Sequence, residues 1–133
     1  MDQHVHVLIA NREVHPRRGL QALLAAWPQI EVVGAAANGV EAVQLVKKCR
    51  PDVVLIDFPM LVLVMDGRLG RKGKETNGLE AIRLIKRLQP QVRIVVLTMY
   101  ATHRVAALAA GVDAFLLKGC PAQDLQGAIL KPR

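Results

Sequence analysis

Aromatic residues are scarce in this sequence, and so are cysteines and long apolar runs. Aromatic side chains make up 3% of the 133 residues, too few for a surface on which nucleic-acid bases could stack. Cys49 and Cys120 lie far apart without a CxxC or Cys/His spacing, which indicates neither a zinc site nor a disulfide framework and predicts two free thiols, buried or half-buried. No apolar run approaches the ~18 residues of a transmembrane helix, and no signal-peptide pattern opens the chain. We therefore expect a cytoplasmic protein that does not enter a membrane.

Acidic residues are outnumbered, with 11 Asp and Glu against 18 Lys and Arg, for a net charge of +7. A basic domain attracts polyanions, but cations on solvated helix surfaces are the commoner reason for such a balance. With so few aromatics, we do not expect this domain itself to bind nucleic acid. The sequence also lacks a metal-ligand cluster, a Cys/His pair at a strand end and a glycine-rich dinucleotide turn, so no other enzyme class finds support. Its length predicts a single domain, residues 1–133.

Five short stretches rich in Val, Ile and Leu have the composition of strands buried on both faces of a sheet. They are residues 5–10, 30–36, 52–57, 92–98 and 113–118. Between them, apolar residues recur at the i, i+3, i+4 spacing of amphipathic helices, in the stretches 19–27, 41–49, 79–88 and 103–111. Strands and helices therefore alternate, which predicts a doubly wound α/β fold: a five-stranded parallel sheet with helices on both faces.

Residues at the predicted helix ends agree with this pattern. Asn38 and Asn77 are each followed three residues later by a glutamate, which is the spacing of a capping box. Gly111 stands where a helix would end, and Pro121 stands where the last helix would begin.

Polar residues stand at the predicted carboxyl ends of four strands. Asn11 and Arg12 follow the first strand, Asp57 ends the third, Thr98 ends the fourth and Lys118 ends the fifth. In such a sheet, ligands bind at the carboxyl ends of the strands, beside the point where the strand order reverses. We expect the candidate site there, where one carboxylate, one hydroxyl and one ammonium group converge.

These residues give the chain a resemblance to a known family. Asp57 ending PDVVLID, Thr98 ending IVVLT, Lys118 in GVDAFLLKG and the helix opening NGLEAIRLIK resemble the receiver domain of bacterial two-component response regulators, NarL/LuxR type. The resemblance covers roughly residues 5–128 and is interrupted by extra residues after Asp57. It implies the flavodoxin-like (βα)5 receiver fold and a role in phosphorelay signal transduction.

The resemblance also implies roles for individual residues. Asp57 would accept a phosphoryl group from a histidine kinase, since its carboxylate can act as the nucleophile. Lys118 would contact a phosphoryl oxygen, and the Thr98 hydroxyl would turn toward the phosphate. Phe115 would be the aromatic residue whose inward movement couples this site to the face formed by the fourth helix, the fifth strand and the fifth helix. Each residue alone is ordinary at its position, so the resemblance rests on their combination.

The metal-binding positions depart from the family pattern. The family ends the first strand with two adjacent acidic residues that hold Mg²⁺, and these positions here are Asn11 and Arg12. If Mg²⁺ bound, its ligands would be Asp57, the Asn11 amide and a backbone carbonyl near Pro59, with only one carboxylate among them. We therefore expect weak or absent Mg²⁺ binding. The Arg12 guanidinium either pairs with Asp57 in place of the metal or points to solvent.

Compared with the usual family spacing, about a dozen residues are inserted between the third strand and the third helix, roughly at 61–77. Both VMDG (64–67) and TNG (76–78) match the family's turn before that helix, as though the insertion had split one turn. The insertion joins an apolar run, MLVLVM, to a turn signal and then to the basic residues Arg68, Arg71, Lys72 and Lys74. A protruding hairpin, a lid, a segment that docks on a neighbouring subunit, and a tolerated loop without a role all agree with this composition.

Two functions follow. In the first, the chain is an atypical receiver in which Mg²⁺-dependent phosphorylation at Asp57 is weakened or absent, and which acts as a protein-interaction switch. The alternative is a conventional phosphoacceptor, phosphorylated on Asp57 by a histidine kinase. In neither case do we expect an enzyme beyond self-phosphorylation on Asp57 and its reversal. The resemblance further implies a histidine kinase or other signalling partner, a homodimer through the fourth-helix to fifth-helix face or through the first and fifth helices, and DNA contact only through a carboxyl-terminal domain that this chain does not encode.

Overall fold

The structure is a computed structural model and describes residues 4–11, 13–57, 63–64, 75–76, 79–99 and 101–131. Within these ranges the chain forms seven strands and five α-helices. The strands are β1 Val5–Ala10, β2 Ile30–Ala36, β3 Val53–Ile56, β4 Leu63–Val64, β5 Glu75–Thr76, β6 Arg93–Thr98 and β7 Ala114–Leu117. The helices are α1 Val14–Ala25, α2 Gly39–Cys49, α3 Leu79–Leu88, α4 Arg104–Ala110 and α5 Ala122–Leu130, with a 3-10 turn, Ala101–His103, before α4.

Five of the strands form one parallel sheet in the order β2-β1-β3-β6-β7. This confirms the predicted fold class. The order reverses between β1 and β3, since the chain moves outward from β1 to β2 and then returns to the other side of β1. β1 and β2 have the predicted bounds, whereas β3, β6 and β7 lose one residue at one or both ends. Most of the lost residues are polar, and they belong to the loops at the sheet edges.

The first helix differs most from its sequence pattern. It begins at Val14, five residues before the apolar stretch 19–27, and it ends at Ala25. Pro16 therefore lies in its first turn, where a missing backbone N–H costs no helical hydrogen bond. The last helix follows Pro121, as the sequence predicts.

Helix ends are held by the residues that the sequence singles out. The Asn38 side chain accepts a hydrogen bond of 2.8 Å from the backbone N–H of Glu41, and the Glu41 carboxylate accepts one of 2.7 Å from Ala37. The return bond thus reaches one residue upstream of the cap. Gly111 follows α4 with a φ of 114°, a conformation that glycine adopts without steric cost. Asn77, the other predicted cap, lies outside the described residues.

The two faces of the sheet carry separate apolar cores. Helices α2, α3 and α4 cover one face, and α1 and α5 cover the other. Ile82 and Ile85 of α3 and Leu24 of α1 are completely buried. Ile129 of α5 is 1% exposed. A buried side chain of this size contributes about 1.5–3 kcal/mol. Packing on both faces fixes the strands, and with them the loops at their carboxyl ends.

The predicted insertion contains a small sheet of its own. β4 and β5 pair antiparallel, with Leu63 opposite Thr76 and Val64 opposite Glu75. This pairing agrees with the hairpin alternative for residues 61–77, whose limits stay a prediction. Over the described ranges, no helix has the length and apolar character needed to cross a membrane.

Candidate functional site

The carboxyl ends of β1, β3, β6 and β7 meet beside the point where the strand order reverses. Asp57 directly follows β3, and its backbone N–H donates a hydrogen bond of 2.9 Å to the carbonyl of Ala10 at the end of β1. The residue is 9% exposed. A carboxylate is thus held at the sheet edge, nearly buried, with its backbone anchored to the neighbouring strand.

Lys118 forms an ion pair with Asp57. Its Nζ lies 2.8 Å from Asp57 Oδ2, and the two side chains are 32% and 11% exposed. The backbone N–H of Lys118 donates to the carbonyl of Thr98 at 2.7 Å, which ties the end of β7 to the end of β6. Gly119 follows with a φ of 96°, so the chain turns away directly after the lysine in a conformation that favours glycine.

Thr98 and Phe115 lie on the two strands beside this pair. Thr98, the last residue of β6, is fully buried. Phe115 of β7 is opposite Val96 and half-buried, and it packs against the core beneath α2, α3 and α4. The structure thus brings the predicted carboxylate, lysine and threonine to one edge, while the phenylalanine ring contacts the core on one face of the sheet.

Asn11 is fixed by bonds that sequence reasoning did not find. Its side chain oxygen Oδ1 accepts a hydrogen bond of 2.9 Å from the backbone N–H of Glu13, and its carbonyl accepts one of 2.8 Å from Nη1 of Arg17. Its own N–H donates to Ala36 at 2.9 Å. Every residue except proline has a backbone N–H, so nothing in the sequence indicates that Glu13 donates this bond. The role of Arg17 depends on the early start of α1, which the apolar pattern did not reveal.

Two buried polar atoms at this edge lack hydrogen-bond partners within the described part of the chain: Asn11 Nδ2 and Asp57 Oδ1. Leaving such a group unsatisfied costs about 1–3 kcal/mol, so native structures usually give it a partner. Arg12 and Pro59, which the sequence also places near this site, lie outside the described residues. The predicted pairing of Arg12 with Asp57 therefore stays a hypothesis.

The residues present do not fit Mg²⁺ well. This ion prefers hard oxygen ligands, commonly including carboxylates, in near-octahedral geometry. Among the described residues that end the strands at this edge, Asp57 is the one buried carboxylate, and its Oδ2 already binds Lys118. The Asn11 oxygen is engaged by Glu13. Throughout the described ranges, no group of three or more His, Cys, Asp or Glu side chains is arranged to hold a metal ion.

An apolar cleft of about 200 Å³ lies beside Lys118, between α1 and α5. Leu20 and Leu23 of α1 line one side, and Cys120 and Leu125 line the other. Both cysteines are free and half-buried, as predicted. Burial raises the pKa of the Cys120 thiol, and the nearby Asp124 carboxylate raises it further. The thiol is therefore less ionised, and less nucleophilic, than a free cysteine.

Comparison with known proteins identifies the family. The sequence model of the family "response regulator receiver domain" matches residues 7–130, almost the whole chain. The chain belongs to this family. The receiver domain is 35% identical over 127 residues to the transcriptional regulatory protein LiaR of Bacillus subtilis, covering 94% of this chain and 54% of LiaR. It is 34% identical over 120 residues to the nitrate/nitrite response regulator protein NarL of Escherichia coli, covering 86% of this chain and 49% of NarL.

Solved structures show the same fold. The signal receiver domain of the putative response regulator NarL from Mycobacterium tuberculosis matches with a TM-score of 0.75 and 25% identity, over 96% of this chain and 94% of that one. A LuxR-family response regulator from Aurantimonas matches with a TM-score of 0.74 and 26% identity, over 93% and 81%. This chain is thus a NarL/LuxR-type receiver domain of two-component signalling, and it spans about half the length of the transcriptional regulators it matches.

Proposed function

We propose that this receiver domain is an atypical phosphorelay switch, in which Mg²⁺-dependent phosphorylation of Asp57 is weakened and regulation works mainly through protein contacts. One observation carries the proposal: Asp57 is paired with Lys118 at 2.8 Å, and the buried polar residue described at the end of the neighbouring strand β1 is the amide Asn11 rather than a carboxylate. Two cationic charges on the metal would be offset by a single anion there. The described residues thus keep the nucleophile and its cation but lack the acidic pair that would hold Mg²⁺.

Asp57 is the proposed phosphoacceptor, and the roles of its neighbours follow from their positions. Lys118 would bind a phosphoryl oxygen, because its ammonium already contacts the carboxylate. The Thr98 hydroxyl would turn toward the phosphoryl group. Phe115 would then move inward and couple the site to the face formed by α4, β7 and α5. In this proposal the domain performs no chemistry beyond acquiring and losing the phosphoryl group.

The partner surface that we propose lies on and around α4. Large apolar side chains are exposed there: Met99, Val105, Leu108 and Leu117, with exposed fractions of 68%, 81%, 41% and 42%. Exposed apolar side chains that cluster in this way mark interaction sites. We propose that a second copy of this chain binds there and forms a homodimer. A cytoplasmic histidine kinase would supply the phosphoryl group, and DNA would be contacted through a separate output domain, since LiaR and NarL are regulators about twice as long.

The decisive experiment is intact-mass analysis after incubation with acetyl phosphate, with Mg²⁺ or with EDTA. Native chain, Asp57→Ala and Arg12→Asp are compared. We expect no gain from Mg²⁺ on the native chain and a Mg²⁺-dependent adduct on Arg12→Asp, because that substitution restores a carboxylate at a metal position. A strong Mg²⁺-dependent adduct on the native chain, lost in Asp57→Ala, would instead establish the conventional phosphoacceptor.

The partner surface has a matched pair of valines for its test. Val105 on α4 and Val14 on α1 are both exposed, and they lie on opposite faces of the sheet. Val105→Glu should lower dimer affinity in sedimentation analysis, while Val14→Glu should leave it unchanged. The reverse result would move the interface to the α1 side.

A further inference from the structure

The orientation of the Asn11 amide has a consequence for what the site can bind. Its Oδ1 accepts a hydrogen bond from the Glu13 backbone N–H at 2.9 Å. Rotating the amide by half a turn would bring its NH2 group against that N–H, and two donors would face each other. The oxygen is therefore directed toward Glu13, and the Nδ2 donor is the buried atom that remains without a partner in the described part of the chain. Where the family has a carboxylate acceptor, this chain has a hydrogen-bond donor.

The two oxygens of Asp57 are also distinct. Oδ2 accepts from Lys118 Nζ at 2.8 Å, whereas Oδ1 is buried and has no hydrogen-bond partner among the described residues. As far as the described residues are concerned, the lone pairs of Oδ1 are thus available for a new bond. Asn11 and Asp57 follow neighbouring strands at the same level, because Ala10 is opposite Ile56 in the parallel register. A donor atom, Asn11 Nδ2, and a nucleophilic oxygen, Asp57 Oδ1, therefore stand at adjacent strand ends, each without a partner among the residues that the structure describes.

An amide donor repels a metal cation and attracts the oxygens of an anion. Together, Asn11 Nδ2 and Lys118 Nζ offer donors to a phosphoryl group bound at Asp57. Donors arranged in advance around a buried site can stabilise negative charge as a metal ion does, without being recruited from solution. In the described part of the chain, one further buried side-chain atom has no partner, Gln89 Oε1. Its residue bonds to Pro51 before β3, at the opposite edge of the sheet.

We infer that Asp57 accepts a phosphoryl group, or an analogue of one, without a divalent metal, with Asn11 Nδ2 taking the place of the ion. The inference rests on the proposed assignment of Asp57 as phosphoacceptor. With acetyl phosphate, the new bond forms between Asp57 Oδ1 and phosphorus, and the bond from phosphorus to the acetyl oxygen breaks. Acetate leaves with that electron pair, and no proton moves, since both the attacking and the departing group are carboxylates. Asn11 Nδ2 and Lys118 Nζ then donate to the phosphoryl oxygens.

Beryllofluoride, a reversible phosphoryl analogue, gives a test that does not depend on turnover. Its dissociation constant is measured by ¹⁹F NMR on the native chain, in EDTA and in excess Mg²⁺. We expect binding in EDTA, a change of less than about twofold on adding Mg²⁺, and no binding to Asp57→Ala. Asn11→Ala should weaken binding in EDTA about tenfold, the effect of one charge-assisted hydrogen bond.

Two further variants separate this effect from a loss of folding. Asn11→Asp keeps the side-chain shape but replaces the donor with an acceptor, so binding should become weaker in EDTA and recover with Mg²⁺. Gln89→Ala removes another buried amide that bonds to Pro51 at 2.6 Å, and it should leave beryllofluoride binding unchanged.

The possible results of the beryllofluoride experiment bear differently on this inference and on the proposed function. Binding to the native chain only with Mg²⁺ would overturn both this inference and the proposed weakening of the metal site. No binding under either condition would overturn the inference alone, and regulation by protein contacts would stand. Equal binding by the native chain and Asn11→Ala in EDTA would also overturn it, because the amide would then have no part in the site.

Discussion

Replacing Lys118 with methionine tests the ion pair on which the site is built. Methionine keeps most of the side-chain length but removes the charge, which leaves the Asp57 carboxylate without its cation in a site where that side chain is 11% exposed. Exposed ion pairs contribute about 0–1 kcal/mol, and breaking a buried pair costs about 3–5 kcal/mol. The lysine side chain is 32% exposed, so this pair lies between those limits. We expect a loss of about 2 kcal/mol in the free energy of unfolding.

Urea denaturation followed by circular dichroism measures this loss. Lys47→Met is the matched control, since Lys47 is exposed on α2, and it should change stability by less than about 0.5 kcal/mol. Adding Asp57→Asn to Lys118→Met should recover most of the loss, because the neutral amide no longer needs a cation. In thermal unfolding, 2 kcal/mol corresponds to roughly 6–10 °C for a domain of this size.

Two results would refute the reasoning. Equal effects of Lys118→Met and Lys47→Met would mean that solvent screens the pair almost completely. A double variant as unstable as Lys118→Met alone would mean that the lysine stabilises the fold by packing of its methylene groups, rather than by its charge.

Four further substitutions test local structure and reactivity. Asn38→Ala should cost about 1 kcal/mol in urea denaturation, because it removes the side-chain cap of α2. Gly119→Ala should lower the free energy of unfolding by about 1 kcal/mol or more, because the φ of 96° at this position disfavours any residue with a Cβ. Gly127→Ala, inside α5 with open space around it, should raise the free energy of unfolding by roughly 0.5–1 kcal/mol. Equal effects of the two substitutions would contradict the conformational argument. Asp124→Asn should lower the raised pKa of Cys120, increase the thiolate fraction at about pH 8 and speed its alkylation by iodoacetamide, as followed by peptide mass; an unchanged rate would exclude the carboxylate as a cause.

The sheet could be predicted from sequence because its central strands β3 and β6 are buried on both faces. Continuous apolar runs such as VVLI of β3 and IVVL within β6 fit few alternatives once helical periods separate them. The convergence of Asp57, Thr98 and Lys118 followed from the same reasoning, since residues that end parallel strands meet at one edge. Prediction was less accurate for α1, whose first turn is polar and contains Pro16. The apolar pattern covers only the later turns of α1, which pack against the sheet, so the pattern does not indicate where the helix begins.

The state of the pocket could not be predicted in the same way. The sequence shows an amide, Asn11, directly after β1, but not which end of that amide is engaged. That depends on a backbone N–H, at Glu13, and every residue except proline has such a group. The same limit applies to Asp57, whose two oxygens are equivalent in sequence and become distinct only when Lys118 contacts one of them. Composition predicts which groups are present, and tertiary contacts decide which of their atoms remain available.

The predicted insertion falls where the packing of this fold tolerates extra residues. Ile82 and Ile85 of α3 are completely buried against the sheet, so α3 packs in place whatever joins it to β3. Lengthening a surface connection costs little, since doubling a loop adds only about 0.6 kcal/mol of closure entropy. A connection between elements that are fixed by their own packing can therefore lengthen without loss of the fold. In this chain, the β4 and β5 pair lies in the connection from β3 to α3, and both of those elements are fixed by residues of the two cores.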